Sequence, residues 1–325
     1  MSSSQGTSVC SDAGSQFCPC VLADLGECIT CSLLRGEALC DCAWSGVCVY
    51  SEYLWAGKRP LPPRPEYEMA IKDVFRSGRL TVFTLGVPRN LVNELSEPGA
   101  FLFLRPPGTR QCFNAPISVM DVDWESARFA VQVMGPKTKA LDRSRDFLLA
   151  RGPYWNGVLG SQRLRRLRNS HALVVARGIG QGPAVHVASY LLRKNNRVTA
   201  ALASGDLVDG VFAKPDMRRL GVPVVESPGA GPDQVKTLVG LIREGGFDLV
   251  HSSGPDSQHR ALLAAIREAG SGAKLTASNN SVMCCGDGVC GGCGISTKSS
   301  LWTRACKAAV NPEDVAFSTG GEHSP

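Results

Sequence analysis

The segment "CCGDGVCGGC", residues 284–293, packs four cysteines and four glycines into ten positions, and Cys306 follows after twelve intervening residues. Thiolates at such spacing are soft metal ligands. Cys285-x4-Cys290-x2-Cys293 followed by a distant Cys306 matches a plant-type 2Fe–2S spacing. Glycines around the thiols let a tight loop wrap a cluster and turn its N–H groups toward the sulfurs. Zinc usually takes paired C-x2-C knuckles, and only one such pair is present here. The residues therefore point to a 2Fe–2S site on Cys285, Cys290, Cys293 and Cys306. Zinc and free thiols are the other readings. Cys284 is the spare thiol.

A second set lies near the N-terminus: Cys18, Cys20, Cys28, Cys31, Cys40, Cys42 and Cys48. Residues 17–50 carry too few apolar side chains to offset the entropy of ordering them. A metal-organised module is expected, built on zinc or a 4Fe–4S cluster, with redox thiols as the alternative. Trp44, Tyr50, Tyr53 and Trp55 are expected to form a small core there, with a surface for a partner as the alternative. Fourteen cysteines clustered this way fit metal sites in a reducing compartment rather than disulfides.

The third feature is "ARGIGQGP", 176–183, between the apolar run "ALVVA" and a helix-like stretch. Gly178, Gly180 and Gly182 would let the backbone approach a pyrophosphate at a helix N-terminus. An ordinary strand–helix turn is the alternative.

These residues need elements to hold them. Residues 66–165 read as short strands split by Gly, Pro and Asp, which predicts a small antiparallel barrel. From about 170, strands alternate with helices of period 3.6, which predicts a parallel sheet covered on both faces. The fold class is therefore multidomain α+β. Its expected parts are a Cys-rich metal module (1–58), a β-barrel (62–167), an α/β domain (168–272) and a 2Fe–2S segment (273–325). "KRPLPPRPEYE", 58–68, reads as a semi-rigid linker. "RLRRLR", 163–168, reads as a solvated interdomain linker, not a nucleic-acid footprint. No apolar run approaches the ~18 residues of a membrane span. The start shows no signal-peptide pattern, so a cytoplasmic protein is expected.

A barrel, an α/β domain and a C-terminal Cys-x4-Cys-x2-Cys…Cys loop together resemble the electron-transfer subunit of B-type dihydroorotate dehydrogenase, within the ferredoxin–NADP reductase superfamily. The resemblance runs from about residue 66 to 315. "EPGAFLFLRP" (97–106) is similar to the family's Pro-Gly-Gln-Phe stretch, and "APIS" (115–118) to its flavin-binding Arg-Pro-Ile-Ser. "VMGPKTKAL" (133–141) resembles its second flavin-phosphate loop, "GPYWNG" (152–157) its Gly-Pro-Leu-Gly-Asn-Gly, and "SSGPDSQ" (252–258) its Cys-Gly-Pro. The resemblance implies an oxidoreductase subunit of a heteromeric complex, active with a partner flavoprotein or iron–sulfur subunit. FAD would contact Pro116, Ile117, Ser118, Gly135, Lys137 and Thr138. NAD(P)H would lie at Gly178, Gly180, Gly182, Gly254 and Pro255. Electrons would leave through the cluster.

Three departures stand out. The motif arginine is Ala115, so Lys137, Arg105 or Arg110 would have to supply its charge. Arg177 replaces a glycine and Ser253 a cysteine. They favour the alternative function, a non-catalytic electron-transfer or scaffold subunit with a decayed nicotinamide site, docking its partner through the N-terminal module.

Overall fold

The computed structural model describes residues 9–208, 210–227, 232–298 and 302–317. The chain opens with a two-residue strand, β1 (Val9–Cys10), followed by turns and short helices that carry the first cysteines. Their core is small: Ala23, Cys28, Cys31, Leu34 and Val49, with Trp44, Tyr50 and Tyr53 packed against it. Trp55 does not join this core, because its side chain is 78% exposed at the end of its helix.

Six antiparallel strands then close a barrel: β2 (Glu66–Ser77), β3 (Leu80–Gly86), β4 (Phe101–Arg105), β5 (Ala115–Val122), β6 (Ser126–Gln132) and β7 (Phe147–Tyr154). The spatial order is β2-β3-β6-β5-β4-β7. Alternate residues such as Phe83, Leu85, Val119, Phe129 and Val131 fill its interior.

The next strands are β8 (Val158–Leu159), β9 (His171–Arg177), β10 (Arg197–Ala203), β11 (Val224–Glu226), β12 (Leu249–Ser253) and β13 (Lys274–Ser278). They form one sheet in the order β11-β10-β9-β12-β13-β8, parallel except for the β8 edge. Residues Ala172–Ala176 of β9 are buried throughout, as expected of a strand covered on both faces. This sheet extends to Ser278, past the boundary at 272 expected from sequence. The chain finishes with β14 (Gly294–Ser296), β15 (Trp302–Arg304) and β16 (Ala308–Ala309). β16 pairs with β1, so the N-terminal and C-terminal cysteine segments are neighbours. No described helix is long and apolar enough to cross a membrane.

Two linker expectations are corrected. Within the proline-rich 58–68 stretch, Arg64 is buried and bonds Asp12 at 2.6 Å. The stretch is packed down because a buried guanidinium needs its counterion. "RLRRLR" begins as a helix, Ser161–Arg166, with Leu164 fully buried. Two of its four arginines are paired: Arg163 bonds Glu313 and the Leu275 carbonyl, and Arg165 bonds Glu97, while Arg166 and Arg168 are exposed.

Candidate functional site

Strand order in the α/β sheet reverses beside β9, since the chain moves outward to β10 and β11 and then returns to β12. Ligands of such sheets bind at the carboxyl ends next to this reversal. A cleft of ≈ 510 Å³ lies there. One wall is the barrel, through Pro116, Ile117, Ser118, Ala130, Gln132 and Thr138. The other wall comes from four successive strand ends: Gly178–Gly180, Gly205–Val208, Gly254–Pro255 and Ser278–Asn280. Gly180 is required by a close approach, because a Cβ there would stand 2.2 Å from the Ser253 carbonyl oxygen.

Most candidate cofactor residues therefore meet in one cleft: Pro116, Ile117, Ser118, Thr138, Gly178, Gly180, Gly254 and Pro255. Gly182 is displaced from it and packs on Ala130 of the barrel. Gly135 precedes the helix Pro136–Asp142, and its N–H donates to the Thr138 hydroxyl at 3.2 Å. The three candidate cations separate clearly. Arg105 is neutralised by Glu66 at 2.7 Å and donates to the Thr109 carbonyl. Arg110 is exposed and outside the cleft lining. Lys137 donates from Nζ to the Asn114 carbonyl at 3.1 Å, directly before Ala115, where the resembled family carries arginine. Lys137 is, like Arg110, exposed and outside the cleft lining, but its ammonium is the one that lies beside the vacated position. The residues fit a flavin on this ground. Lys137→Ala is expected to weaken FAD binding about ten- to a hundredfold, because one charge-assisted contact is worth about 1.5–3 kcal/mol. Equilibrium titration of the apo chain with FAD checks it.

Arg177 is drawn to Asp206, 2.6 Å away across the glycine turn. Sequence reasoning missed Asp206 as a partner, and also the run "SNN", 278–280. There Asn280 donates to the Gly254 carbonyl at 2.8 Å and fixes the turn.

The cysteine loop sits against the outside of the barrel. Cys293 and Cys306 are buried with Phe101, Phe103 and Tyr154. Gly286 has φ +74°, and a Cβ there would strike the Tyr154 and Phe103 rings at 2.5 and 2.7 Å. Arg151 holds the loop from below, donating to Asp287 and to the Cys285 carbonyl, each at 2.9 Å. Asn279 donates to the carbonyls of Asn156 and Ala305, and Asn156 donates to those of Ala305 and Ala308, so Cys306 is fixed from both sides. These asparagines carry no sequence signal that separates them from loop residues.

The donor set fits a 2Fe–2S cluster. Hydrogen bonds join the thiol of Cys285 to those of Cys306 and Cys290, and that of Cys293 to Cys306. Bonding from Cys306 lowers the Cys285 and Cys293 thiols, and the same bonds raise that of Cys306. The Asp287 N–H donates to the Cys285 sulfur at 3.3 Å and the Cys306 N–H to the Cys293 sulfur at 3.4 Å. N–H donors to sulfur are how proteins stabilise reduced clusters. Cys284 is exposed and lies over Gly292. Cys290 is also exposed, with Val289 and Trp302 exposed along the same loop and hairpin.

Of the N-terminal candidates, Cys18, Cys20 and Cys28 line a second, small cavity together with Cys10, which the sequence reading omitted. Cys31 is buried beside them and donates its N–H to the Cys28 sulfur at 3.3 Å. Cys40, Cys42 and Cys48 are exposed.

No protein-family model matches the chain. Among curated proteins, it is 26% identical over 206 residues to a probable dihydroorotate dehydrogenase B (NAD(+)) electron transfer subunit of Methanopyrus kandleri, covering 61% of this chain and 74% of the relative. The chain resembles the electron transfer subunit of dihydroorotate dehydrogenase B. A homolog of that subunit from Aquifex aeolicus is 24% identical over 249 residues, covering 73% of this chain and 91% of its own. Among solved structures, a chain of an NADH-dependent reduced ferredoxin–NADP oxidoreductase superposes with a TM-score of 0.61 at 21% identity, covering 77% of this chain and 90% of that one. The barrel followed by the α/β sheet is therefore the fold of that solved chain.

Proposed function

We propose that the chain is an oxidoreductase subunit of a cytoplasmic heteromeric complex, carrying electrons from NAD(P)H through FAD and a 2Fe–2S cluster to a partner redox subunit. One observation carries this reading: the cleft joins the barrel's 116–118 strand and Thr138 to the carboxyl ends of four parallel strands, with the cysteine loop on the same barrel. The relatives named as electron transfer subunits support it. Bound in the cleft, FAD would supply the chemistry, accepting a hydride and releasing its electrons singly.

The chain's own residues do the rest. Pro116, Ile117 and Ser118 offer the barrel edge to an isoalloxazine, and Lys137 meets the flavin phosphates. Gly178 and Gly180 bring the backbone close to a dinucleotide. Gly254 and Pro255 close the cleft on the nicotinamide side. Phe101, Phe103 and Tyr154 exclude water from the inner face of the cysteine loop. Exposed Cys290 and its apolar neighbours Val289 and Trp302 offer the outer face to an acceptor.

The second reading is a carrier or scaffold with a decayed nicotinamide site. The Arg177–Asp206 pair over the turn and the loss of arginine at 115 favour it. One experiment separates the two. Anaerobically purified chain should show flavin absorbance that bleaches on adding NADH or NADPH. Flavin bands that persist with both would leave only the second reading.

A further inference from the structure

Asp12, Arg64, Lys307, Asp287 and Arg151 form one connected ion network against the C-terminal cysteine loop. Asp12 accepts from Arg64 at 2.6 Å and from Lys307 at 2.5 Å. Arg64 reaches Asp287 at 3.5 Å, and Asp287 accepts from Arg151 at 2.9 Å. We propose that this network sets the redox potential of the 2Fe–2S cluster assigned to the loop, with Asp12 as its pivot and positioning residue.

The network grips the loop at both ends. Lys307 directly follows Cys306. Asp287 lies two residues after Cys285, and its N–H donates to the Cys285 sulfur at 3.3 Å. Arg151 donates to the Cys285 carbonyl at 2.9 Å. Between these ends the loop passes close to the network, because a Cβ on Gly288 would stand 3.2 Å from Cγ of Lys307.

The pivot comes from the N-terminal segment, which lies outside the 66–315 resemblance. β1 pairs with β16, and the Ser11 N–H donates to the Lys307 carbonyl at 2.7 Å, which delivers Asp12 to the Lys307 ammonium. Asp12, Arg64 and Lys307 are all buried, so water screens their charges little. Arg64 lies 4.2 Å from the centre of the Tyr154 ring and Arg151 5.0 Å from that of Phe103. Those are the rings packed against Cys293 and Cys306.

The charges do not balance. Three cations share two carboxylates. Arg304, close to the same glycine, is paired with Glu27 and leaves the excess unchanged. A buried cation without its full counter-charge is costly. An excess of positive charge suits an anionic group, and iron held by four thiolates is one. Reduction makes that group more negative, and the net charge around a cluster is one of the factors that set its potential. Each cation of the network therefore favours the reduced state, and each carboxylate opposes it. Asp12 touches two of the three cations, so it restrains most of their effect. This inference rests on the 2Fe–2S assignment and is independent of the nicotinamide reading.

The test uses the full chain purified anaerobically. It is titrated with dithionite in the presence of redox mediators while the 2Fe–2S electron paramagnetic resonance signal is followed. Lys307→Met should lower the midpoint potential. Asp287→Asn and Asp12→Asn should raise it. Glu226→Ala, which breaks an exposed pair with Lys214 on the α/β sheet, should keep the wild-type value. Opposite signs separate a charge effect from loosened packing, which has no reason to follow the sign of the charge removed. Lys307→Met and Asp287→Asn at the wild-type midpoint, or shifted in the same direction, overturn the proposal, even where stability in urea falls. So does a folded Asp12→Asn that titrates as wild type. A wild type with no 2Fe–2S signal overturns the ligand assignment itself, and this proposal with it.

Discussion

Cys293→Ser is expected to abolish the 2Fe–2S electron paramagnetic resonance signal and to remove about two iron atoms per chain. Cys293 is almost fully buried, its sulfur accepts the Cys306 N–H, and its thiol is bonded to that of Cys306. No second thiol can take its place from inside, because the neighbours there are Phe101, Phe103, Tyr154 and Met283. Cys284 is exposed beside Gly292. Cys284→Ser should therefore keep a normal signal. A wild-type signal in Cys293→Ser would sink the ligand assignment.

Asp12→Ala should be the most destabilising single ionic change in the protein. Asp12 is buried and accepts from Arg64 at 2.6 Å and from Lys307 at 2.5 Å. Burial works against its charge, and Lys307 and Arg64 overcome that and hold the carboxyl below its usual range. Removing one partner of a buried pair costs about 3–5 kcal/mol, since the other charge stays buried and unmatched. Two cations lose their partner here. The unfolding midpoint in urea should fall accordingly. Glu226→Ala, which breaks the exposed pair with Lys214, should leave the midpoint unchanged. Equal midpoints for Asp12→Ala and wild type would show that the ion cluster does not lock the N-terminal segment to the rest.

Much of this was readable locally. "ALVVA" is apolar at every position because β9 is covered on both faces, and the glycine turn follows it for the backbone contact at Gly180. The C-terminal cysteine spacing is a local pattern, and it places Cys293 and Cys306 side by side in one buried cluster. Unreadable features depend on contacts far apart in the chain. Cys10 looks unrelated to Cys18 until β1 pairs with β16 some three hundred residues away. Arg64 sits among prolines, where composition suggests a linker, and only the burial of Asp12 explains it. Arg163 and Arg165 read as a solvated basic run because their acidic partners, Glu313 and Glu97, lie in other segments. The charge absent at Ala115 is approached by Lys137 from a different element, which no spacing rule encodes.

The seam between barrel and α/β sheet has a kinetic consequence. One hydrophobic core runs across it, joining Met120 and Ala130 to Ala184 and Val187. Arg128 bonds Asp216 and Arg219 bonds Asp121, each at 2.6 Å, and His186 reaches the Glu97 carbonyl at 3.0 Å. Domains joined loosely are expected to swing; these two share a core and are tied by these three polar contacts. Under the proposed function, the spacing between a flavin on one and a nicotinamide on the other would be a fixed length, like wire on a board. Changes in throughput would then come from driving force and from cofactor exchange, and solvent viscosity should leave the proposed internal transfer rate unchanged.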